Sequence, residues 1–327
     1  MCTAVTYQTD DFYFGRNLDL HIFYNETVTV TPRSFLFQFR CGKVLESHYA
    51  MIGMATVADD YPLYYEATNE KGLSLAGLNF PQNAMYYQYA EGLDNIAPFE
   101  LIPWLLGQCE SVTEALAMIQ KMNLWNTPFS EQFPLSPLHW LLADKERSVV
   151  LEPMSEGLKI HPNPIGILTN NPPFDFHMYN LANFMNVSAQ LPQNRFSDKI
   201  TLSPYSLGMG GIGLPGDLSS SSRFVKAAFT KLNSVSGSTE SESISQFFHI
   251  LGSVAQQNGL TPVEGGQYEY TVYSSCCNTE KGIYYYTTYE NSQITAVSLH
   301  NEDLNSSKLF SYPLIRGQQI RKQNERL

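Results

Sequence analysis

Both ends of the chain are written in strand-like segments, and this restricts the fold more than any other feature. "CTAVTYQT" and "FYFGRNLDL" flank a "TDD" turn, and "ETVTVTP", "YAMIGMAT" and "GLSLAGLNF" follow. After residue 265 the pattern returns in "YEYTVYSSCC", "GIYYYTTYE" and "QITAVSLH". "PLHWLLAD", "RSVVLEP" and "IGILTNN" read as strands between them. The helical segments occupy separate blocks. "SVTEALAMIQKM" carries a capping box from Ser111 and Glu114, and "FHMYNLANFMNV", "SSRFVKAAFTKL" and "SISQFFHILGSVAQQ" space apolar residues helically. Antiparallel strands with helices in separate blocks predict an α+β layered architecture.

The 327 residues suffice for one large domain or two ordinary ones. The Gly-, Ser- and Pro-rich stretch 188–220 is too long for a plain connector, and its length suits a lid, an arm or a linker. Strands of similar character on both sides favour a single domain over 1–327. A net charge of -11 offers no basic face to nucleic acid or an anionic membrane. Arg316, Arg321, Lys322 and Arg326 read as a solvated end. No signal peptide or membrane-length apolar run is visible, so the expected compartment is the cytoplasm. The five cysteines form no CxxC pair and no HExxH occurs, so neither a metal nor another cofactor is expected. Cys41, Cys109, Cys276 and Cys277 read as small buried hydrophobes in a reducing compartment.

Cys2 is different because of its position. A methionine before a small residue is normally removed, which would put a thiol and a free α-amine on one residue. The amine, with a reference pKa of about 7.7–8.0, can take the thiol proton directly or through water. One residue then serves as nucleophile and general base. If Asp10 and Asp11 make a two-residue hairpin turn, Cys2 stands opposite Asp19, whose carboxylate would hold the amine. A different turn would pair Cys2 with Asn17. In the first register Arg16 points to the other face, and a bulge or bend is needed to bring it in.

"MCT" followed by "FGRNLDL" resembles the choloylglycine hydrolase family, whose members are bile salt hydrolases and penicillin V acylases with an amino-terminal nucleophile. The resemblance continues in "AGLNF" at 76–80, "LHWLLAD" at 138–144, "LTNNPPFDFHMYNL" at 168–181 and "GLPGDLSSSSRF" at 213–224. It covers most of the chain in the family's order. It implies a four-layer αββα sandwich of two antiparallel sheets and hydrolysis of an amide bond. By position it assigns Cys2 as nucleophile, Arg16 and Asp19 to hold its amine and thiolate, and Asn79 and Asn170 to the oxyanion hole. Arg223 completes the polar site. It also implies that 188–220 is an arm bracing a homo-oligomer, expected to be a tetramer.

The residues themselves agree with parts of this. An amide NH2 at a strand end, as in Asn79, is a good donor to a developing oxyanion. Arg223 falls in the first turn of a helix capped by serines, where the dipole disfavours a cation, so an anion should lie nearby. The mechanism needs no histidine, and the histidines read as structural or surface residues. For the substrate, aromatic residues crowd the expected loops "HIFYNE", "YPLYY" at 61–65 and "NTPFSEQFPLSP" at 126–137. Leu18, Tyr24, Tyr65, Phe129 and Phe133 are the expected lining, suited to the apolar wall that a conjugated bile salt requires. Penicillin V acylases more often carry tyrosine where Asn79 stands, which favours bile salts. Penicillin V, an acyl-homoserine lactone, or a catalytically silent binding protein of the same fold are the alternatives.

Overall fold

The computed structural model describes residues 1–324. In chain order its principal strands are β1 (Cys2–Gln8), β2 (Phe12–Leu20), β3 (Thr27–Thr31), β4 (Met51–Ala58), β5 (Tyr61–Asn69) and β6 (Ser74–Asn79). They continue as β7 (Leu138–Ala143), β8 (Ser148–Met154), β9 (Gly157–Pro162) and β10 (Ile167–Leu168). The last are β11 (Tyr268–Asn278), β12 (Ile283–Thr288), β13 (Asn291–Ser298) and β14 (Phe310–Pro313). The helices are α1 (Leu101–Leu106), α2 (Val112–Ile119), α3 (Phe174–Asn180), α4 (Ser220–Asn233) and α5 (Glu240–Gly252). One sheet runs β10-β1-β2-β11-β12-β13 and the other β9-β8-β7-β6-β5-β4-β3-β14, with antiparallel pairing throughout both.

Burial defines the layers. One apolar cluster joins Val28, Ile52, Met54, Ala76 and Leu141 of the second sheet to Cys2, Ala4, Phe14 and Leu18 of the first. The same cluster continues through Phe224, Phe247 and Ile250 of α4 and α5. A separate cluster packs Leu101, Leu105 and Val112 of α1 and α2 on Leu75, Leu142 and Leu151, the outer face of the second sheet. The order is helix, sheet, sheet, helix: the αββα sandwich that the family resemblance implies. Because both faces of β1 and β2 are covered, their side chains are buried almost without alternation. No helix among the described residues is long and apolar enough to cross a membrane.

Several local readings change. "YPLYY" is part of β5 rather than a loop. "IGILTNN" yields only the two-residue β10. Ser111 caps α2 through the Glu114 N–H, but the Glu114 carboxylate accepts from the Glu110 N–H, so the box is not reciprocal. Arg316 is no solvated end: it pairs with Glu290 and lies 4.2 Å over the Phe23 ring. Arg326 lies outside the described residues.

The hairpin register is also different. Residues 9–11 form a three-residue loop, so Cys2 faces Leu18 and Ala4 faces Arg16. Neither Asp19 nor Asn17 is opposite Cys2. Arg16 therefore shares the thiol's face without any bulge in β1 or β2, while Asp19 lies on the helix-covered face. β2 reaches β11 at Gly15, where an added Cβ would stand 2.0 Å from the Ser275 carbonyl oxygen. Gly15→Ala should therefore lower stability by at least the ~1–3 kcal/mol typical of an overpacked core. Thermal unfolding followed by circular dichroism would show it, and an unchanged midpoint would contradict the close approach.

Candidate active site

The site forms where the first residues of β1 meet the ends of β2, β6 and β10 and the start of α4. Cys2 is only 3% exposed. Its N–H donates to Asn170 Oδ1 at 2.8 Å, and its carbonyl accepts from Arg223 Nη1. With Met1 attached, that N–H is a peptide amide and cannot act as a base. The Met1 amino group instead donates to the Asp19 carbonyl at 2.7 Å and to Glu269 Oε2 at 2.9 Å.

The β1–β2 sheet separates two cationic groups. On the side facing the second sheet, Arg16 is fully buried and donates from Nη1 to the carbonyls of Gly77 (2.6 Å) and Tyr65 (3.2 Å). Its Nη2 is buried with no partner among the described residues. Burial opposes its charge, yet the acidic groups around it, Glu66 and Asp19 among them, outweigh that cost and hold its pKa above the ordinary value. On the helix side, Arg223 donates from Nη2 to Asn170 Oδ1 at 2.8 Å, from Nε to the Leu218 carbonyl at 3.0 Å, and from Nη1 to Thr3 Oγ1.

The anion expected beside Arg223 is Asp19, whose Oδ2 lies 4.0 Å from Nη1. Asp19 Oδ1 accepts from Thr271 Oγ1 at 2.7 Å, while Oδ2 has no hydrogen-bond donor among the described residues. Burial lifts its pKa above the usual carboxylate range, against the opposing pull of Arg223 and the chain's amino group. A bulge in β11 between Thr271 and Tyr273 makes this contact. Thr271 pairs with Asp19 on the helix side, while Tyr273 turns into the layer between the sheets.

Asn170 is a junction. Its Oδ1 accepts from both Cys2 and Arg223, and its Nδ2 donates to the Asn79 carbonyl at 2.7 Å. Its backbone N–H donates to Ser220 Oγ, and its carbonyl accepts from His177 Nε2 at 2.9 Å. An amide has two N–H donors, so one on Asn170 Nδ2 is left for another acceptor. Asn79 is exposed at the end of β6 and lines the same opening as Cys2.

That opening is a cavity of about 370 Å³ with Cys2, Arg16 and Asn79 among its lining residues. Leu18, Tyr24, Tyr65, Phe129 and Phe133 all line it, and Leu20, Leu63, Phe99 and Leu135 extend the apolar wall. A second hollow of about 440 Å³, lined by Asn25, Asp59 and Ser130, shares Tyr24 and Phe133 with it. The sequence reading missed Thr271, Ser220 and His177, because lone hydroxyls and a histidine carry no spacing signal. No cluster of metal-ligating side chains occurs among the described residues.

A buried thiol at the second position lies at an apolar cavity, with two guanidiniums and amide groups close by. Residues 2–312 match the model of the linear amide C–N hydrolases, choloylglycine hydrolase family. The chain belongs to that family. It is 61% identical to a bile salt hydrolase/transferase of Lactiplantibacillus plantarum, over 96% of this chain and 97% of that one. A bile salt hydrolase/transferase of Clostridium perfringens is 37% identical, over 95% and 96% of the two chains. A crystal structure of the conjugated bile acid hydrolase of C. perfringens superposes with a TM-score of 0.91 at 36% identity, covering 99% and 100%. Penicillin V acylase from Agrobacterium tumefaciens shares the fold, with a TM-score of 0.74 at 18% identity.

His177 donates to the Asn170 carbonyl from Nε2 as a neutral imidazole. Burial pulls its pKa down to about 4. Between pH ~6.5 and about 4 the unfolded chain takes up this proton and the folded chain does not, so stability falls as pH drops through that window. His177→Gln keeps an amide donor and removes the titration. Its unfolding midpoint should fall less steeply over that range than the parent's, and parallel slopes would refute the assignment.

Proposed function

We propose that this protein hydrolyses the amide bond of glycine- or taurine-conjugated bile acids, with Cys2 as nucleophile after Met1 is removed. The observation that carries this reading is the placement of the Cys2 thiol at an apolar cavity walled by Leu18, Tyr24, Tyr65, Phe129 and Phe133. A rigid steroid needs such a wall, and the volume lies in the range of small-molecule sites. The identity to bile salt hydrolases over nearly the whole chain supports the same substrate.

In the proposed mechanism the freed α-amine keeps Asn170 Oδ1 as one acceptor and gains the unfilled Asp19 Oδ2 as another. It takes the thiol proton, and the sulfur attacks the substrate's amide carbon. Negative charge moves to the carbonyl oxygen, which the Asn79 side chain and the spare N–H of Asn170 stabilise. The ammonium returns its proton to the departing nitrogen of glycine or taurine, leaving a thioester. Water, deprotonated by the amine, then attacks the thioester and releases the bile acid with the thiol restored. An amine entering in place of water would take the acyl group, in keeping with the transferase half of the relatives' names. Arg16 stabilises charge on sulfur from beneath, and Arg223 holds the Cys2 carbonyl and Asn170 in place.

Turnover of taurocholate, glycocholate and penicillin V side by side, on protein whose mass shows loss of Met1, tests the reading. Conjugated bile salts should be the better substrates, and Cys2→Ala should abolish activity. Preference for penicillin V would reassign the substrate, and turnover by Cys2→Ala would end the nucleophile assignment. Asn79→Ala should lower kcat by roughly 10²–10³, as for loss of one oxyanion donor. An effect confined to KM would move Asn79 to substrate binding.

The 188–220 segment belongs to this proposal as an assembly arm of a single cytoplasmic domain. Phe196, Tyr205 and Leu207 are each more than 80% exposed, a surface that a second copy of the chain would cover in a homotetramer. Deleting about 15 residues across its tip should give smaller species by light scattering, with reduced activity. A fully active variant with unchanged assembly mass would contradict this role.

A further inference from the structure

A carboxylate lies sealed between the sheets beneath the thiol. Glu66 of β5 is 1% exposed and has no place in the mechanism above. Its Oε2 accepts from Tyr273 OH at 2.7 Å, and its Oε1 accepts from Ser275 Oγ at 2.9 Å and from Tyr284 OH. Ser275 Oγ also accepts from the Arg16 N–H at 3.2 Å. Glu66 Oε2 stands 3.8 Å from Arg16 Nε, in an ion pair whose side chains are 0% and 2% exposed.

Strand geometry has been altered to put it there. The β4–β5 register shifts between Met54 and Ala55, whose partners are Glu66 and Tyr64, so Tyr65 is the extra residue. The shift reverses the alternation. Tyr64 and Ala67 pack in the outer cluster, whereas Tyr65 and Glu66 enter the layer between the sheets. Unshifted, Glu66 would share Tyr64's outer face. Bulges of this kind re-aim side chains next to functional sites.

An isolated buried cation is too costly to keep without a partner. Asp19 is committed to the other face of the sheet with Arg223. Before the thiol ionises, Glu66 is the anion left to Arg16 on its own side. Burial raises the pKa of Glu66, and the Arg16 cation first, then the hydroxyls that donate from Tyr284, Tyr273 and Ser275, favour its charged form against that burial. The titratable groups facing Glu66 are Arg16 on β2, Tyr273 and Cys277 on β11 and Tyr284 on β12, with Glu26 acting at longer range.

We propose that Glu66 is the resting-state counter-ion of Arg16, a positioning residue that shares the buried cation's field with the Cys2 thiol. The proposal deepens the reading of Cys2 as nucleophile, but its test measures thiol ionisation and stability rather than turnover. It therefore stands or falls apart from the choice of substrate.

The test follows the rate of Cys2 alkylation by iodoacetamide against pH, read by peptide mass, in protein lacking Met1. Glu66→Gln removes the anion and leaves Arg16 to favour the thiolate alone, so the midpoint should move down by about one pH unit. Glu66→Asp keeps the charge and disturbs the packing, and its midpoint should stay near the parent's. An unmoved or raised midpoint in Glu66→Gln, or equal shifts in both variants, would overturn the proposal.

Stability supplies a second arm should Glu66→Gln fold poorly. A counter-ion is needed only while its partner is charged. Glu66→Gln should therefore lower the unfolding midpoint far more in the parent than in an Arg16→Met background. If Glu66→Gln lowers the midpoint as much in the Arg16→Met background as in the parent, Glu66 acts independently of Arg16 and the proposal fails.

Discussion

Two buried guanidinium groups, one on each face of the β1–β2 hairpin, are the constraint around which the rest is arranged. Neither can be there without a carboxylate, and each has one: Asp19 for Arg223 and Glu66 for Arg16. Truncating one member of such a pair leaves an uncompensated charge and costs about 3–5 kcal/mol. The pairs explain why polar side chains run through the middle of an otherwise apolar sandwich. They also explain why the thiol, in its apolar setting, has a positive potential close by. Backbone carbonyls at Tyr65 and Gly77 fix the Arg16 guanidinium, so its position follows from the second sheet rather than from flexible neighbours.

Much of this was legible from the sequence. Period-2 segments and separated helical blocks gave the layered class, and the serine run before Arg223 marked the α4 cap that Ser219 makes. The requirement for an anion near Arg223 followed from the helix dipole, and Asp19 meets it. The family motifs point to Cys2, Arg16, Asp19, Asn79, Asn170 and Arg223, and the fold brings Cys2, Arg16 and Asn79 to one opening, with Asn170, Arg223 and Asp19 linked behind Cys2. The aromatic lining was named in advance as well, although Tyr65 reaches the cavity from a strand.

What could not be read depends on single-residue changes of phase. A three-residue loop at 9–11 in place of a two-residue one moves every partner of Cys2 by one position and turns Arg16 to the thiol's face. Two bulges, at Tyr65 and Val272, reverse the alternation of β5 and β11 and so decide which residues meet Glu66 and Asp19. Such shifts leave composition and average periodicity unchanged. Thr271, Glu66 and Tyr284 are visible only once the strands are paired.

The junction at Asn170 has a consequence for how the family can diversify. Its N–H donates to Ser220 Oγ, so the chain between these residues leaves the site and returns to the place it left. That makes the 188–220 segment part of a closed excursion, and lengthening a closed loop is inexpensive: doubling it adds only about 0.6 kcal/mol of closure entropy. Insertions and deletions can accumulate there while the stem keeps its geometry. The length of this segment and the reaction chemistry are thus written in separate stretches of one polypeptide, free to drift at different rates.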